Sequence, residues 1–322
     1  MGEHLPHTRS FHSVSAEHRQ TVWDNAIPPA LEVESGATVE LETADASGGQ
    51  LTKSSSAEDV TNMDMGAVNP VTGPVYVKDA EAGDTLQVEI LELEPNDWGW
   101  TAIIPGFGLL ADEFPDPWLN ISTVEAETKT VRFNDDVTLP FAPFPGTIGV
   151  APEEPGQHSV LPPTKWGGNM DIKHLTAGTT LYLPVAVRGA LFSVGDTHAA
   201  MGDAEVCGTA VESAMTITVR LTTIKHQTLA HPQYRIPPGQ LAEAERSGYH
   251  VCTGIDHDLT EAARQATRAT IEHIQRTHGI DRQTAYAIAS VAVDLRIHEL
   301  VDAPNWVVGA FLPDSIFIQP GS

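Results

Sequence analysis

Along the first two-thirds of the chain, apolar and polar residues alternate in short runs. "ATVELET", "GDTLQVEILEL", "TVRFNDDVTLP", "TTLYLPV", "ALFSVGD" and "SAMTITVRLTTI" carry either the period-2 pattern of a half-buried strand or the brief apolar run of a buried one. Gly, Pro, Asn and Asp interrupt these runs from about Pro28 to Arg220, which predicts an antiparallel, sandwich- or barrel-like body. Beyond the proline-rich "AHPQYRIPPGQ" the period changes. Leu259, Ala263, Ala266, Thr270 and Ile274 fall on one side at helical spacing, with Asp258 placed to cap the helix at its start and Gly279 to end it at His278. Asp281 is placed to cap a second helix over "RQTAYAIASVAVDLRIHELV", after which "NWVVGAFLP" and "DSIFIQP" return to strand character. The expected protein is mainly β. Its β-rich body covers residues 1–220, a proline-rich connection 221–250, and a helix-helix-strand portion, the C-terminal α+β part, packs on the body over 251–322. "ASGGQLTKSSSAEDVTNMDM", with Gly49 and a serine run, is expected to be a surface excursion.

Composition narrows the partners. The 322 residues suffice for a large core without staples, and no run nears the roughly 18 apolar residues of a membrane-spanning helix. The polar, histidine-rich start lacks the apolar stretch of a secretory signal, so a cytoplasmic protein is expected. With 43 acidic against 18 basic residues the net charge is -25, which disfavours nucleic-acid phosphates and anionic membranes and leaves small molecules or cations. Only six of the basic residues are lysine, a balance that suggests adaptation to high salt, where self-repulsion is screened, although an ordinary acidic cytosolic protein has the same sign. Cys207 and Cys252 are too few for a disulfide framework and are expected as buried free thiols.

Two glycine-bracketed stretches carry candidate chemistry. "WGGNMDIKHL" holds Asn169, Asp171 and His174, and "FSVGDTHAAMGDAEVCGTAVE" packs Asp196, His198, Asp203 and Glu205 into ten residues punctuated by Gly195 and Gly202. If Asp171, Asp196 and His198 meet, they offer two hard oxygens and an imidazole, a set suited to a divalent ion, zinc ahead of calcium, and Glu205 could act on the water it holds. Plainer readings stand beside this one. Asp196 to His198 could be an Asx-turn, "GGN" a tight turn, His174 a surface or core histidine and Asp203 a turn residue. The joint density argues for a site, because burying four ionisable groups costs several kcal/mol unless they are paired or bind metal. Gly195 and Gly202 are expected to supply the sharp turn that gathers Asp196, His198 and Glu205. "KSSSAED" lacks the glycine-rich surroundings of a serine amidase, and "GFGLL" lacks the context of a phosphate cradle.

These residues resemble the acetamidase/formamidase family. "GGNMDIKHLTAGTTLYLPVAVRGALFSVGDTHAAMGDAEVCGTAVE" looks like its central block, "NPVTGPVYVKDAEAGDTLQVEI" and "PGTIGVAP" like its N-terminal blocks, and "TGIDHDLTEAAR" with "SVAVDLRIHELVDAPNWVVGAFLP" like its C-terminal one. The resemblance implies a β-rich hydrolase of short amides such as formamide or acetamide, with zinc or calcium and homo-oligomeric assembly, and it puts Asp171, Asp196, His198 and Glu205 on the family's motif positions. Met201 stands where that motif usually has glutamine, Ala204 where it has glycine, and Asn69 where similar segments often have histidine. In such a hydrolase Glu205 would carry the proton and Asn169 would donate to the developing oxyanion. The rival is a non-catalytic β-sandwich binding module with structural calcium, for which His198 would be an odd ligand.

Overall fold

Met215, Ile217, Val219 and Leu221 are buried along the strand Met215–Ile224, and the residues between them are partly exposed, as its alternation dictates. The strand pairs with Ala37–Glu42 on one side and Thr85–Pro95 on the other. Around it forms a nine-stranded sheet in the spatial order His12–Val14, Ala37–Glu42, Met215–Ile224, Thr85–Pro95, Thr180–Pro184, Gln233–Ile236, Tyr249–Asp256, Trp306–Pro313 and Asp294–Glu299. All its pairings are antiparallel except that of the His12–Val14 edge. The computed structural model describes residues 12–108, 111, 115–133, 138–201, 205, 207–238, 248–280, 285, 293–314 and 317.

A second sheet places Gly167–Asn169, Phe144–Gly149, Phe192–His198, Val71–Val77 and Arg19–Gln20 side by side, with Leu31–Val33 running parallel to Val71–Val77. One apolar cluster joins the sheets, drawing Val39, Leu86, Ile90 and Ile217 from the first and Val75, Phe144, Ile148 and Phe192 from the second. That is the core of a sandwich. A four-stranded sheet, Trp98–Ile103, Trp118–Glu125, Thr130–Arg132 and Thr138–Pro140, completes the mainly β fold.

In the second sheet every residue of Phe144–Gly149 and Phe192–His198 is buried, so these strands are covered on both faces. This corrects the expected turn at Gly195. Phe192–His198 is a strand through Asp196 and His198, and Gly195 is needed for close approach, since a Cβ there would collide with the Pro70 carbonyl. Gly202, Asp203 and Ala204 lie outside the described residues. The segment 46–65 is also no surface excursion. It contains the helix Ala57–Thr61 and buries Leu51, Val60 and Met63 against Trp100 and Ala102.

The strand Gln233–Ile236, inside the proline-rich connection, joins Thr180–Pro184 to Tyr249–Asp256 and carries the large sheet into the C-terminal portion. The helix Leu259–His278 packs on this part through Ala262, Ala266, Ile271 and Ile274 against Val308, Ala310 and Leu312. Asp258 accepts from the Glu261 amide at 2.9 Å and Gly279 closes the helix in the left-handed region at φ 67°, as expected. The apolar stripe is centred differently, with Ala262 in place of Ala263 fully buried and Leu259 36% exposed. The expected second helix is corrected over its later half: Asp294–Glu299 is a strand, where pairing with Trp306–Pro313 overrides a local helical pattern. Asp281 lies outside the described residues. Among the described residues no helix is long and apolar enough to cross a membrane.

Candidate active site

Three neighbouring strands deliver the polar cluster. Phe144–Gly149 carries Thr147, Gly167–Asn169 ends on Asn169 with Asp171 two residues on, and Phe192–His198 carries Asp196 and His198. Farther along the chain, Glu212 forms isolated antiparallel bridges with both Trp100 and His198. Glu299 and Asp302 arrive from the C-terminal portion. The Glu299 carboxylate accepts from the Val301 amide and, at 2.5 Å, from the Asp302 amide, which orients the Asp302 side chain toward Asn169.

His198 is the hub. Its Nδ1 lies 3.8 Å from Asp171 Oδ1, and its Nε2 lies 3.4 Å from Asp196 Oδ1 and 3.1 Å from Glu212 Oε2. Phe144 packs edge-on against the ring at 4.9 Å between centroids. Thr147 Oγ1 donates to Asn169 Oδ1 at 2.6 Å and approaches Asp196 Oδ2 at 3.2 Å, where the Asn69 amide also donates at 3.1 Å. Asn169 Nδ2 in turn donates to Asp302 Oδ2 at 2.5 Å. Gly146 makes room for this crowding, because a Cβ there would stand 2.5 Å from Asp171 Oδ1 and 2.7 Å from His198 Cε1.

Asn69, Asp171, Asp196 and Glu205 all adopt left-handed backbone conformations, with φ of 48°, 47°, 52° and 45°. Such angles are costly for residues with a Cβ and persist where surroundings over-determine them, as at functional sites. The cluster is also strained electrostatically. Burial pushes Asp171 up to about 8, opposed by His198 and reinforced by Asp196 and Glu299. Burial raises Glu205, Glu212 and Asp302 above the usual carboxylate range and lifts Glu299 to about 7. Burial works against a charged His198, but Glu212 and Asp196 raise it well above the ordinary histidine value. Asp171 Oδ1 and Oδ2, both ring nitrogens of His198 and Glu212 Oε2 are buried without a well-aligned hydrogen bond among the described residues. Carboxylates this dense need protons or a cation between them.

The residues present could hold a metal. Ligand atoms of Asp171, His198 and Glu205 lie within 4.8 Å of one another, and so do those of Asp196, His198 and Glu212. Asp171, Asp196 and His198 therefore do come together, though Asp171 faces one ring nitrogen and Asp196 the other. Asn169, Asp196 and Glu205 line a cavity of about 280 Å³ together with Glu212 and Asp302, and His198 lies against two of these carboxylates, Asp196 and Glu212. His174 belongs to the core: it is buried, with its ring edge-on to Phe311 at 5.3 Å. Met201 packs partly buried against the main core, whereas Asn69 lines the cavity. Cys252 is a buried free thiol, pushed by burial up to about 12, but Cys207 is only half-buried. Glu212, Glu299, Asp302 and Gly146 were not singled out from sequence. The one local signal was that Glu212 closes the same charged, glycine-rich stretch as Asp196 and His198.

A buried imidazole ringed by carboxylates is a cluster that could hold a metal ion. The family described as Acetamidase/Formamidase family matches residues 7–160 and 154–319, and the chain belongs to this family of amidohydrolases. It is 26% identical to a formamidase of Methylophilus methylotrophus over 92% of this chain and 88% of that protein, and 28% identical to an acetamidase of Mycolicibacterium smegmatis over 83% of each. The crystal structure of an acetamidase from Bacillus halodurans superposes with a TM-score of 0.86 at 30% identity, covering 96% of this chain and all of that one. A gamma lactamase from Delftia acidovorans superposes with a TM-score of 0.67 at 28% identity, covering 95% and 91%.

Proposed function

We propose that the protein hydrolyses short amides of the formamide and acetamide type to ammonia and a carboxylate. The observation that carries this is that Asn169, Glu205, Asp196 and Glu212, the last two grouped with His198, line one cavity in a chain of this family. The orphaned oxygens of Asp171 and Glu212 and the unpartnered His198 nitrogens form a donor set that fits a divalent cation. Asp196, His198 and Glu212 would hold it, zinc ahead of calcium. Asp171 behind Nδ1 would fix the tautomer that leaves the Nε2 lone pair free. A divalent ion there supplies Lewis acidity that polarises a carbonyl and acidifies water.

The chain's own groups account for the rest. Asp302 takes one Asn169 amide hydrogen, leaving the second for the substrate carbonyl oxygen as negative charge develops on it. Glu205 removes a proton from the attacking water as the C–O bond forms, then returns it to nitrogen as the C–N bond breaks. Burial and the neighbouring Asp171 raise the proton affinity of Glu205, which suits a group that must hold the water proton until nitrogen receives it. Ammonia release from formamide and acetamide by purified, zinc-loaded protein is the test, and no release from any short amide would refute the proposal.

A further inference from the structure

The cavity is too large and too apolar for the smallest amides. Its volume of about 280 Å³ is nearly twice the ~150 Å³ of an engineered cavity that binds benzene, so formamide would leave most of it unfilled. Its lining brings the polar Asn169, Glu205 and Asp302 together with the apolar Met63, Val68, Trp100, Ile104, Phe107 and Leu161.

These walls are preformed. The single polar atom of the Trp100 side chain, Nε1, donates to Asp45 Oδ1 at 3.0 Å, and the indole is buried. Asp45 is held by the Ser47 amide at 2.8 Å and the Ser47 hydroxyl at 2.5 Å, and Ser47 Oγ accepts from the Leu51 amide at 3.0 Å. Met63 and Trp100 belong to one small core with Leu51 and Val60, so the wall has packed support behind it. A supported, largely apolar lining with a few polar groups is the usual anatomy of a ligand pocket. Charge sets a further limit. Among the described residues no lysine or arginine lines the cavity, and Asp196, Glu205, Glu212 and Asp302 do. An anionic acyl part would find no cationic side chain to pair with there and would face these carboxylates.

We propose that the site selects uncharged amides whose acyl part is a bulky apolar group, of the size of an arylacetyl or branched alkyl chain, over formamide and acetamide. This rests on amide hydrolysis at the same site, and the reaction is unchanged: water adds at the carbonyl carbon, the C–N bond breaks, and the water proton leaves on ammonia. Each methylene buried against the walls is expected to raise kcat/KM about fourfold.

The test is ammonia release by the zinc-loaded protein from formamide, acetamide, isobutyramide, phenylacetamide and the anionic succinamate. Phenylacetamide is expected to exceed formamide in kcat/KM by at least tenfold, and succinamate to fall at least a hundredfold below phenylacetamide. Leu161→Trp, which narrows the wall at a half-buried position, is expected to lower the phenylacetamide-to-acetamide ratio of kcat/KM at least tenfold. Formamide or acetamide as the best substrate, turnover of succinamate equal to that of phenylacetamide, or an unchanged ratio in Leu161→Trp would overturn the assignment while leaving amide hydrolysis standing. Ammonia from none of the five would instead remove the activity on which it rests.

Discussion

Glu212 meets His198 twice: its backbone forms an isolated antiparallel bridge with that residue, and its Oε2 stands 3.1 Å from the imidazole Nε2. The other carboxylate oxygen is occupied, accepting from the Ala210 amide at 2.7 Å. Glu212→Gln keeps that acceptor and the shape but replaces an anionic oxygen beside Nε2 with an amide or a neutral oxygen. The variant is expected to fold normally and to bind zinc at least tenfold more weakly in competition with a chromophoric chelator. Unchanged affinity would take Glu212 out of the ligand set.

Gly146 is the position where the site leaves no room for a side chain. Gly146→Ala must displace Asp171 or His198, since the added carbon would lie within 2.7 Å of both. A hundredfold or greater fall in kcat/KM is expected, with overpacking costing about 1–3 kcal/mol in chemical denaturation. Wild-type kinetics in this variant would mean that the geometry around His198 tolerates displacement.

Legibility from sequence followed how local the cause was. Met215–Ile224 was readable because one buried face leaves an alternating pattern, and Asp258 and Gly279 because caps act on their own helix. Phe192–His198 was readable as apolar and glycine-punctuated but not as a strand through its charged residues, because burial on both faces removes the alternation. Asp171, Asp196, His198, Glu205 and Asn169 stood out by density. Asp302 and Glu299 did not, because Asp302 meets Asn169 across 133 residues of sequence and Glu299 acts only by holding the Asp302 amide. The left-handed backbone at Asp171 and Asp196 has no glycine to announce it.

Acid sensitivity should come from a stacked histidine pair separate from the His198 cluster. His250 and His273 stack at 3.4 Å and 11°, with Gln233 bonded to His250 and with Arg235, Arg276, His278 and Asp314 lining the same cavity. Burial, then Arg276 and its neighbours, lowers His273 to about 4, and burial holds His250 well below the usual value. Both groups are therefore neutral in the fold and protonated in the unfolded chain below about pH 6.5. The stability they contribute is complete above that pH and is lost as pH falls through the window toward about 4. His273→Gln should lose less melting temperature between pH 7 and pH 4.5 than the wild type does. Equal losses would mean that His273 is not buried neutral.

Salt should act in the opposite sense to its effect on a balanced protein. At a net charge of -25, self-repulsion weakens as the Debye length shrinks from about 10 Å at 0.1 M to about 3 Å at 1 M. The melting temperature is expected to rise between 0.1 M and 1 M sodium chloride, and a flat or falling value would reject adaptation to salt.

Glu205→Gln tests the proposed function at its centre, because it removes the proposed proton-transfer group and leaves Asp196, His198 and Glu212 unchanged. Turnover of acetamide, bound zinc and melting temperature should be measured on the same preparation. The account predicts that kcat falls by about a thousandfold or more while zinc content and melting temperature stay at their wild-type values. Near-normal turnover by Glu205→Gln with zinc bound would contradict it.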